Sequence, residues 1–147
     1  MRIALFPGSF RPFTAGHADI VARGLELFDK VIIAIGVNPA KPAADAEAAV
    51  EAIRALYAAE PRVEVEAYSC LTADFARSCG AAFLLRGVRS VKDFEYERDM
   101  ADINRRISGI ESVILFSRPE LAAVSSSVVR ELESYGHDVT QFLAEKR

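Results

Sequence analysis

Phe6-Pro7-Gly8-Ser9-Phe10-Arg11-Pro12-Phe13-Thr14-Ala15-Gly16-His17 is the stretch on which the reading of the fold turns. A short β-rich run, Ile3–Phe6, leads into it. After it comes Ala15–Phe28, where Ile20, Val21, Leu25 and Phe28 recur at helical spacing, with Gly24 a weak spot among them. The quoted residues are therefore a strand-to-helix junction. Thr14 is placed to cap the helix, which puts Gly16 and His17 in its first turn. Unpaired N–H groups and the partial positive charge of a helix start make an anion site there. Gly16 lets a phosphate approach the backbone, and His17 can donate a ring N–H to it. The spacing is neither the dinucleotide G-x-G-x-x-G pattern nor a Walker A loop. A lone histidine at such a place often only caps or packs locally, so the remaining junctions must decide.

The same alternation continues outward. Further β-rich runs are Val31–Ile35, Val63–Val65, Phe83–Leu85 and Val113–Phe116, and helical stretches are Ala46–Ala59, Thr72–Cys79, Val91–Ile107 and Ser126–Tyr135. The runs are read as continuous rather than alternating, which predicts strands covered on both faces. Ten alanines between Ala40 and Ala59 favour helix but name few contacts. Gly136 suits a helix stop, and Asp138 can cap a short turn at Val139–Leu143. Five strands alternating with helices predict an α/β fold: a single doubly wound, Rossmann-like domain over residues 1–147 with a five-stranded parallel sheet. Ligands of such sheets bind beyond the carboxyl ends of the strands, where strand order reverses.

Composition narrows the function. The 147 residues are 51% hydrophobic and 27% charged, a globular balance in a length of about one domain. Eighteen basic against 21 acidic residues give a formal charge of −3, without the basic excess of a nucleic-acid binder. The apolar run Ile3–Phe6 is neither a secretory leader nor close to the ~18 residues that span a bilayer. A cytoplasmic location without membrane attachment is expected. Cys70 and Cys79 are expected to be buried, reduced thiols. No protein metal site is expected, because the histidines are only His17 and His137 and no C-x-x-C occurs.

Three more junctions carry polar signals. Val124-Ser125-Ser126-Ser127-Val128-Val129-Arg130 repeats the helix-start device, with three hydroxyls and orphan amides available to a second phosphate. Leu85-Arg86-Gly87-Val88-Arg89-Ser90 sets two arginines at a strand end, suited to bidentate phosphate contacts. Lys41 follows the turn Gly36-Val37-Asn38-Pro39 above the same edge. Two anion-ready helix starts on one sheet edge point to a polyphosphate.

T-x-G-H in Thr14–His17, S-S-S-x-x-R in Ser125–Arg130 and R-G-x-R-S-x-x-D-F-E-Y-E in Arg86–Glu97 resemble a bacterial phosphopantetheine adenylyltransferase. The first two motifs are shared across the nucleotidyltransferase superfamily; the third is the more specific. The resemblance implies adenylyl transfer from ATP to 4′-phosphopantetheine, giving dephospho-coenzyme A and pyrophosphate. It implies that His17 stabilises the transition state at the α-phosphate, with Ser9 and Phe10 where nucleotide and acceptor meet. Lys41, Thr72 and Arg86 would hold the acceptor, Thr72 mainly by its backbone. Gly87, Val88, Arg89 and Glu97 would border adenosine, and Leu121, Ala122, Ala123, Val124, Ser125, Ser126 and Ser127 would wrap the ATP phosphates. Mg²⁺ carried by ATP, a homohexamer and feedback by coenzyme A are implied in the same way. Arg11 stands where the family usually has aspartate, and Ala48-Ala49 replace a charged pair. The competing readings are a nucleotidyltransferase for nicotinamide mononucleotide or glycerol phosphate, and a nucleotide-binding module without turnover.

Overall fold

β-Branched and leucine side chains fill the strands because both sheet faces are roofed by helices. The computed structural model describes residues 1–146. In chain order its elements are β1 (Ile3–Gly8), α1 (Ala15–Leu27), β2 (Lys30–Gly36), α2 (Ala43–Leu56), β3 (Val63–Tyr68), α3 (Thr72–Ser78), β4 (Phe83–Val88), α4 (Val91–Ser108), β5 (Glu111–Phe116) and α5 (Ser126–Ser134). Single 3-10 turns lie at Pro119–Leu121 and Thr140–Phe142. The five strands are parallel, in the order β3-β2-β1-β4-β5. The order reverses between β1 and β4, so a crevice opens where Gly8 and Val88 end those two strands.

Alternate residues of each central strand feed opposite cores. Ala4, Phe6, Val31, Ile33, Ile35 and Leu85 pack with Ile20, Val21, Val50 and Ile53 of α1 and α2. Leu5, Ile32, Ala34 and Leu84 pack on the other side with Ala73 and Ala76 of α3 and with Ile110. Each fully buried Leu, Ile or Val contributes about 1.5–3 kcal/mol relative to exposure.

Coverage of both faces fails at the two edges. Along β3, Val63 and Val65 are buried while Glu64 and Glu66 face water, and Glu64 pairs across the sheet with Lys30. β5 is only half-buried, and its Phe116 is exposed. An outer strand has a neighbour on one side only, so helices cover it incompletely. α2 also begins earlier than the alanine pattern suggests, at Ala43 rather than Ala46. Pro42 supplies the backbone angle of a helix start, and Tyr57 turns into the core before Ala58 and Ala59 can extend the helix. The thiols depart from expectation too. Cys70 is exposed and Cys79 half-buried, its pKa raised by burial; both are free.

Gly24 is not a weak spot but a point of contact. A Cβ there would lie 2.6 Å from Cδ2 of Leu85, which is itself wholly buried. Overpacking costs about 1–3 kcal/mol and helix propensity returns about 1 kcal/mol, and at a contact of 2.6 Å Gly24→Ala is expected to lower stability by about 1–2 kcal/mol net. Urea unfolding measures it; a midpoint at or above that of the parent protein refutes the packing argument.

Candidate active site

His17 is held by an unusual version of a common cap. Thr14 caps α1: its hydroxyl accepts the His17 N–H at 3.3 Å, while its own backbone N–H donates to Nδ1 of His17 at 2.9 Å. The imidazole thus takes the place of the glutamate or glutamine of a capping box. Because Nδ1 is the acceptor, the proton of the neutral ring is assigned to Nε2. Phe13 stacks on the ring at 5.4 Å, and Phe10 meets it edge-on at 4.9 Å. Phe10 itself adopts φ 48°, and its ring lies where a Cβ on Gly8 would come within 2.8 Å, so Gly8 is required for this close approach.

Burial chiefly, then the positive charges of Arg89 and Arg86, lower the His17 pKa from 6.5 to about 4. The group is neutral at physiological pH and can act as a hydrogen-bond donor rather than a proton shuttle. Between these two values the unfolded chain binds more protons, so stability is full above pH 6.5 and falls as pH drops towards 4. The loss at and below pH 4 is on the order of 3 kcal/mol. Titration of the His17 ring by NMR should find it neutral at pH 5.5; half-protonation near pH 6.5 contradicts the burial argument.

Two cavities flank the strand ends. The larger, about 340 Å³, is lined by Ser9, Phe10, Gly16, His17, Arg86, Gly87, Arg89, Val124 and Ser125–Ser127 among others. The smaller, about 210 Å³, includes Thr72, Arg86 and Glu97 in its lining. Pro7, Gly8 and Arg86 belong to both walls. Arg86 is already engaged: Nε and Nη2 donate to the two carboxylate oxygens of buried Glu97 at 2.9 and 2.7 Å, and Nη1 donates to the Pro7 carbonyl at 2.5 Å. Arg89 approaches Asp93 at 3.6 Å, one turn into α4, whose cap is Ser90.

The serines divide their work. Ser125 caps α5, Ser126 donates its hydroxyl to the Pro12 carbonyl at 2.8 Å, and Ser127 lies 3.3 Å from Nη2 of Arg130. At least two hydroxyls are thus tied to protein partners, leaving the orphan amides of the α5 start as the stronger anion donors. Thr72 opens α3, its hydroxyl 2.9 Å from that of Tyr68. Some expected residues stand apart. Lys41 lies on an exposed turn outside both linings, Val88 is buried beneath the crevice, and Leu121, Ala122 and Ala123 form the approach to Val124 without lining the cavity. Glu97 lines the smaller cavity, not the larger.

The motifs contain Arg130, which lines the larger cavity, and Tyr96, which lines the smaller, without giving either a role, and they do not reach Met100 and Asn104 of the smaller cavity. Spacing could have found both sets. Arg130 follows Ser127 by one helical turn, and 96, 100 and 104 form a stripe on one helix face.

A cytidylyltransferase-like family model matches residues 5–132. The chain is 53% identical over 146 residues to the phosphopantetheine adenylyltransferase of Phocaeicola vulgatus, covering 99% of this chain and 97% of that one. It is 54% identical over 144 residues to that of Porphyromonas gingivalis, covering 97% and 94%. Among solved structures, a bifunctional NMN adenylyltransferase/ADP-ribose pyrophosphatase from Francisella tularensis, complexed with AMP and a manganese ion, superposes with a TM-score of 0.71 at 16% identity. That match covers 97% of this chain and 44% of the other, and it speaks to fold alone.

Proposed function

The chain belongs to the phosphopantetheine adenylyltransferase family, and from that premise we propose a division of labour among the residues of the two cavities. The reaction is adenylyl transfer from ATP to 4′-phosphopantetheine in coenzyme A biosynthesis. The observation that carries the assignment is His17, in the first turn of α1 with its Nδ1 occupied, lining the larger cavity beside the wall of Pro7, Gly8 and Arg86 that the two cavities share.

ATP occupies the larger cavity, its phosphates on the starts of α1 and α5 near Ser125, Ser126, Ser127 and Arg130. Gly87, Val88 and Arg89 border the adenosine side, Val88 by its backbone, while Glu97, in the lining of the smaller cavity, acts through its pair with Arg86. 4′-Phosphopantetheine occupies the smaller cavity, with Thr72 and Arg86 as partners and Lys41 meeting its phosphate from the turn above. The dividing wall of Pro7, Gly8 and Arg86, with Ser9 and Phe10 beside it, brings the two phosphates together. A phosphate oxygen of the acceptor then attacks the α-phosphorus in line, the bond to the bridging oxygen breaks, and pyrophosphate leaves. The attacking monoester has a second pKa near 6, so it is largely ionised without a general base. Nε2–H of His17 donates to the oxygen on which charge accumulates, and Arg86, Arg89 and the helix starts add fixed positive potential.

The donor set suits Mg²⁺ delivered with the nucleotide. The larger cavity has no carboxylate in its lining, and among the described residues no His, Cys, Asp and Glu cluster could hold a metal. When bound with the nucleotide, Mg²⁺ would offset negative charge on the phosphates and the leaving pyrophosphate, held by the nucleotide rather than by a side-chain carboxylate of the larger cavity. In the same reading residues 1–147 act as one cytoplasmic domain, assembled as a homohexamer and subject to feedback by coenzyme A, which shares both halves of the product. The exposed apolar positions Val91, Ile103 and Ile107 of α4 and Phe116 of β5 support burial against another copy. Among the described residues no helix is long and apolar enough to cross a membrane.

Pyrophosphate release from ATP and Mg²⁺ tests the acceptor. Release should require 4′-phosphopantetheine; equal release with nicotinamide mononucleotide overturns the assignment.

A further inference from the structure

We propose that the C-terminal segment from Val139 to Ala144 is a positioning element for His17, acting through Phe13 and Thr14. Residues 11–14 connect β1 to α1 without regular structure of their own, yet they determine how the His17 ring is held. Three successive carbonyls of this connection are fixed from the C-terminal part of the chain. Arg130 Nη1 donates to Arg11 O at 2.6 Å, the Ser126 hydroxyl to Pro12 O at 2.8 Å, and the Ala144 amide to Phe13 O at 3.3 Å. Leu143 pairs with Thr14 in an isolated antiparallel bridge. Val139 is buried, Ala144 packs against the core that contains Phe13, and Thr14 is only 1% exposed.

Thr14 and Phe13 in turn contact the ring. The Thr14 N–H holds Nδ1, the Thr14 hydroxyl holds the His17 amide, and Phe13 stacks on the imidazole. A helix cap is worth only about 1 kcal/mol, too little to keep a loop in one conformation by itself. The ties from the C-terminal segment supply the missing constraint. Loss of the Ala144 bond frees Phe13 O and Thr14 to shift, and the ring then samples its other tautomer and orientation. The link to turnover rests on the role assigned to His17; the link to ring geometry does not.

Ala144→Pro in the full chain tests this. Leu143, at φ −88° and ψ 155°, already has the extended backbone that a residue before proline adopts, and the substitution removes the N–H that bonds to Phe13 O. Turnover is expected to fall by about 10-fold, with the KM for ATP within about twofold, because misplacement of a catalytic group is felt in the chemical step. The ¹⁵N resonances of the His17 ring should lose the single Nε2–H signature, and Ala144→Ser, which keeps the N–H, should retain the parent values. An unchanged ring tautomer in folded Ala144→Pro overturns the proposal. A shifted tautomer with unchanged turnover upholds the positioning and removes His17 from catalysis. If the variant does not fold, native-state hydrogen exchange on the parent protein decides. The Thr14 and Ala144 amides should open together, and independent opening of Thr14 overturns the proposal.

Discussion

Replacing His17 by alanine is expected to lower turnover by about 10²–10³-fold or more, the range found when a donor to a developing oxyanion is lost. The KM for ATP should change little, because the proposed reading puts most of the nucleotide's contacts on the α5 start and the arginines. The size of the effect follows from the state of the ring. A protonated histidine would exchange protons with solvent and repel Arg86 and Arg89. A neutral one, with Nδ1 already accepting from Thr14 at 2.9 Å, presents a single N–H to the larger cavity. In the proposed role that donor acts where charge grows most, so its loss is expected in the chemical step rather than in binding. His17→Gln, which can offer an amide N–H from a similar reach, should recover part of the loss, about 10-fold. Alanine also leaves the Thr14 N–H without its acceptor and costs about 1 kcal/mol of stability. Turnover is therefore measured at saturating substrates on protein shown to be folded. Near-parent turnover in His17→Ala would remove the residue from the mechanism.

Arg86→Ala should damage stability and catalysis together, and a second substitution separates the two. Glu97 is 8% exposed and takes both of its strong hydrogen bonds from Arg86. Removing the guanidinium leaves a carboxylate without its counter-charge and Pro7 O without its donor. Breaking a fully buried pair costs about 3–5 kcal/mol; the Arg86 side chain retains 30% exposure, so about 2–3 kcal/mol is expected here. Chemical denaturation of Arg86→Ala measures this. Arg86→Ala/Glu97→Ala should regain most of the stability, since no lone charge remains, while kcat/KM for 4′-phosphopantetheine stays at least 10-fold down because a bidentate phosphate partner is missing. Full recovery of activity in the double variant would make the pair purely structural. The pair also explains why the larger cavity has a defined wall. Arg86 is fixed by Glu97 and by the β1 carbonyl end before any substrate arrives, so little rotamer entropy remains to be lost on binding.

Local signals were legible wherever the physics is local. Thr14 reads as a cap because a hydroxyl three residues before a backbone N–H satisfies it; Ser125 reads in the same way, and Gly136 as a helix stop. The parallel sheet followed from strands and helices in alternation. The outer strand β3 differs from the continuous reading, although its signal is local: Val63-Glu64-Val65-Glu66 alternates apolar with charged, the pattern of a strand with one wet face. The order β3-β2-β1-β4-β5 gives the tertiary reason, since an outer strand is covered incompletely.

The amino-acid sequence alone determined the fold class, the capped starts of α1 and α5, and the reaction family. Each of these is written in short-range pattern: a cap, a glycine, a basic residue at a fixed offset. Tertiary structure alone decided which groups are free to act. The charge of His17 depends on burial among Phe6, Phe10 and Phe13 and on two arginines about seventy residues away. The Ser126 hydroxyl proved to be engaged, bound to a carbonyl 114 residues distant. The Thr14 cap is braced by Leu143 and Ala144 from the far end of the described chain. Protonation state, donor availability and bracing arise from contacts between distant residues, and no window along the sequence contains both partners.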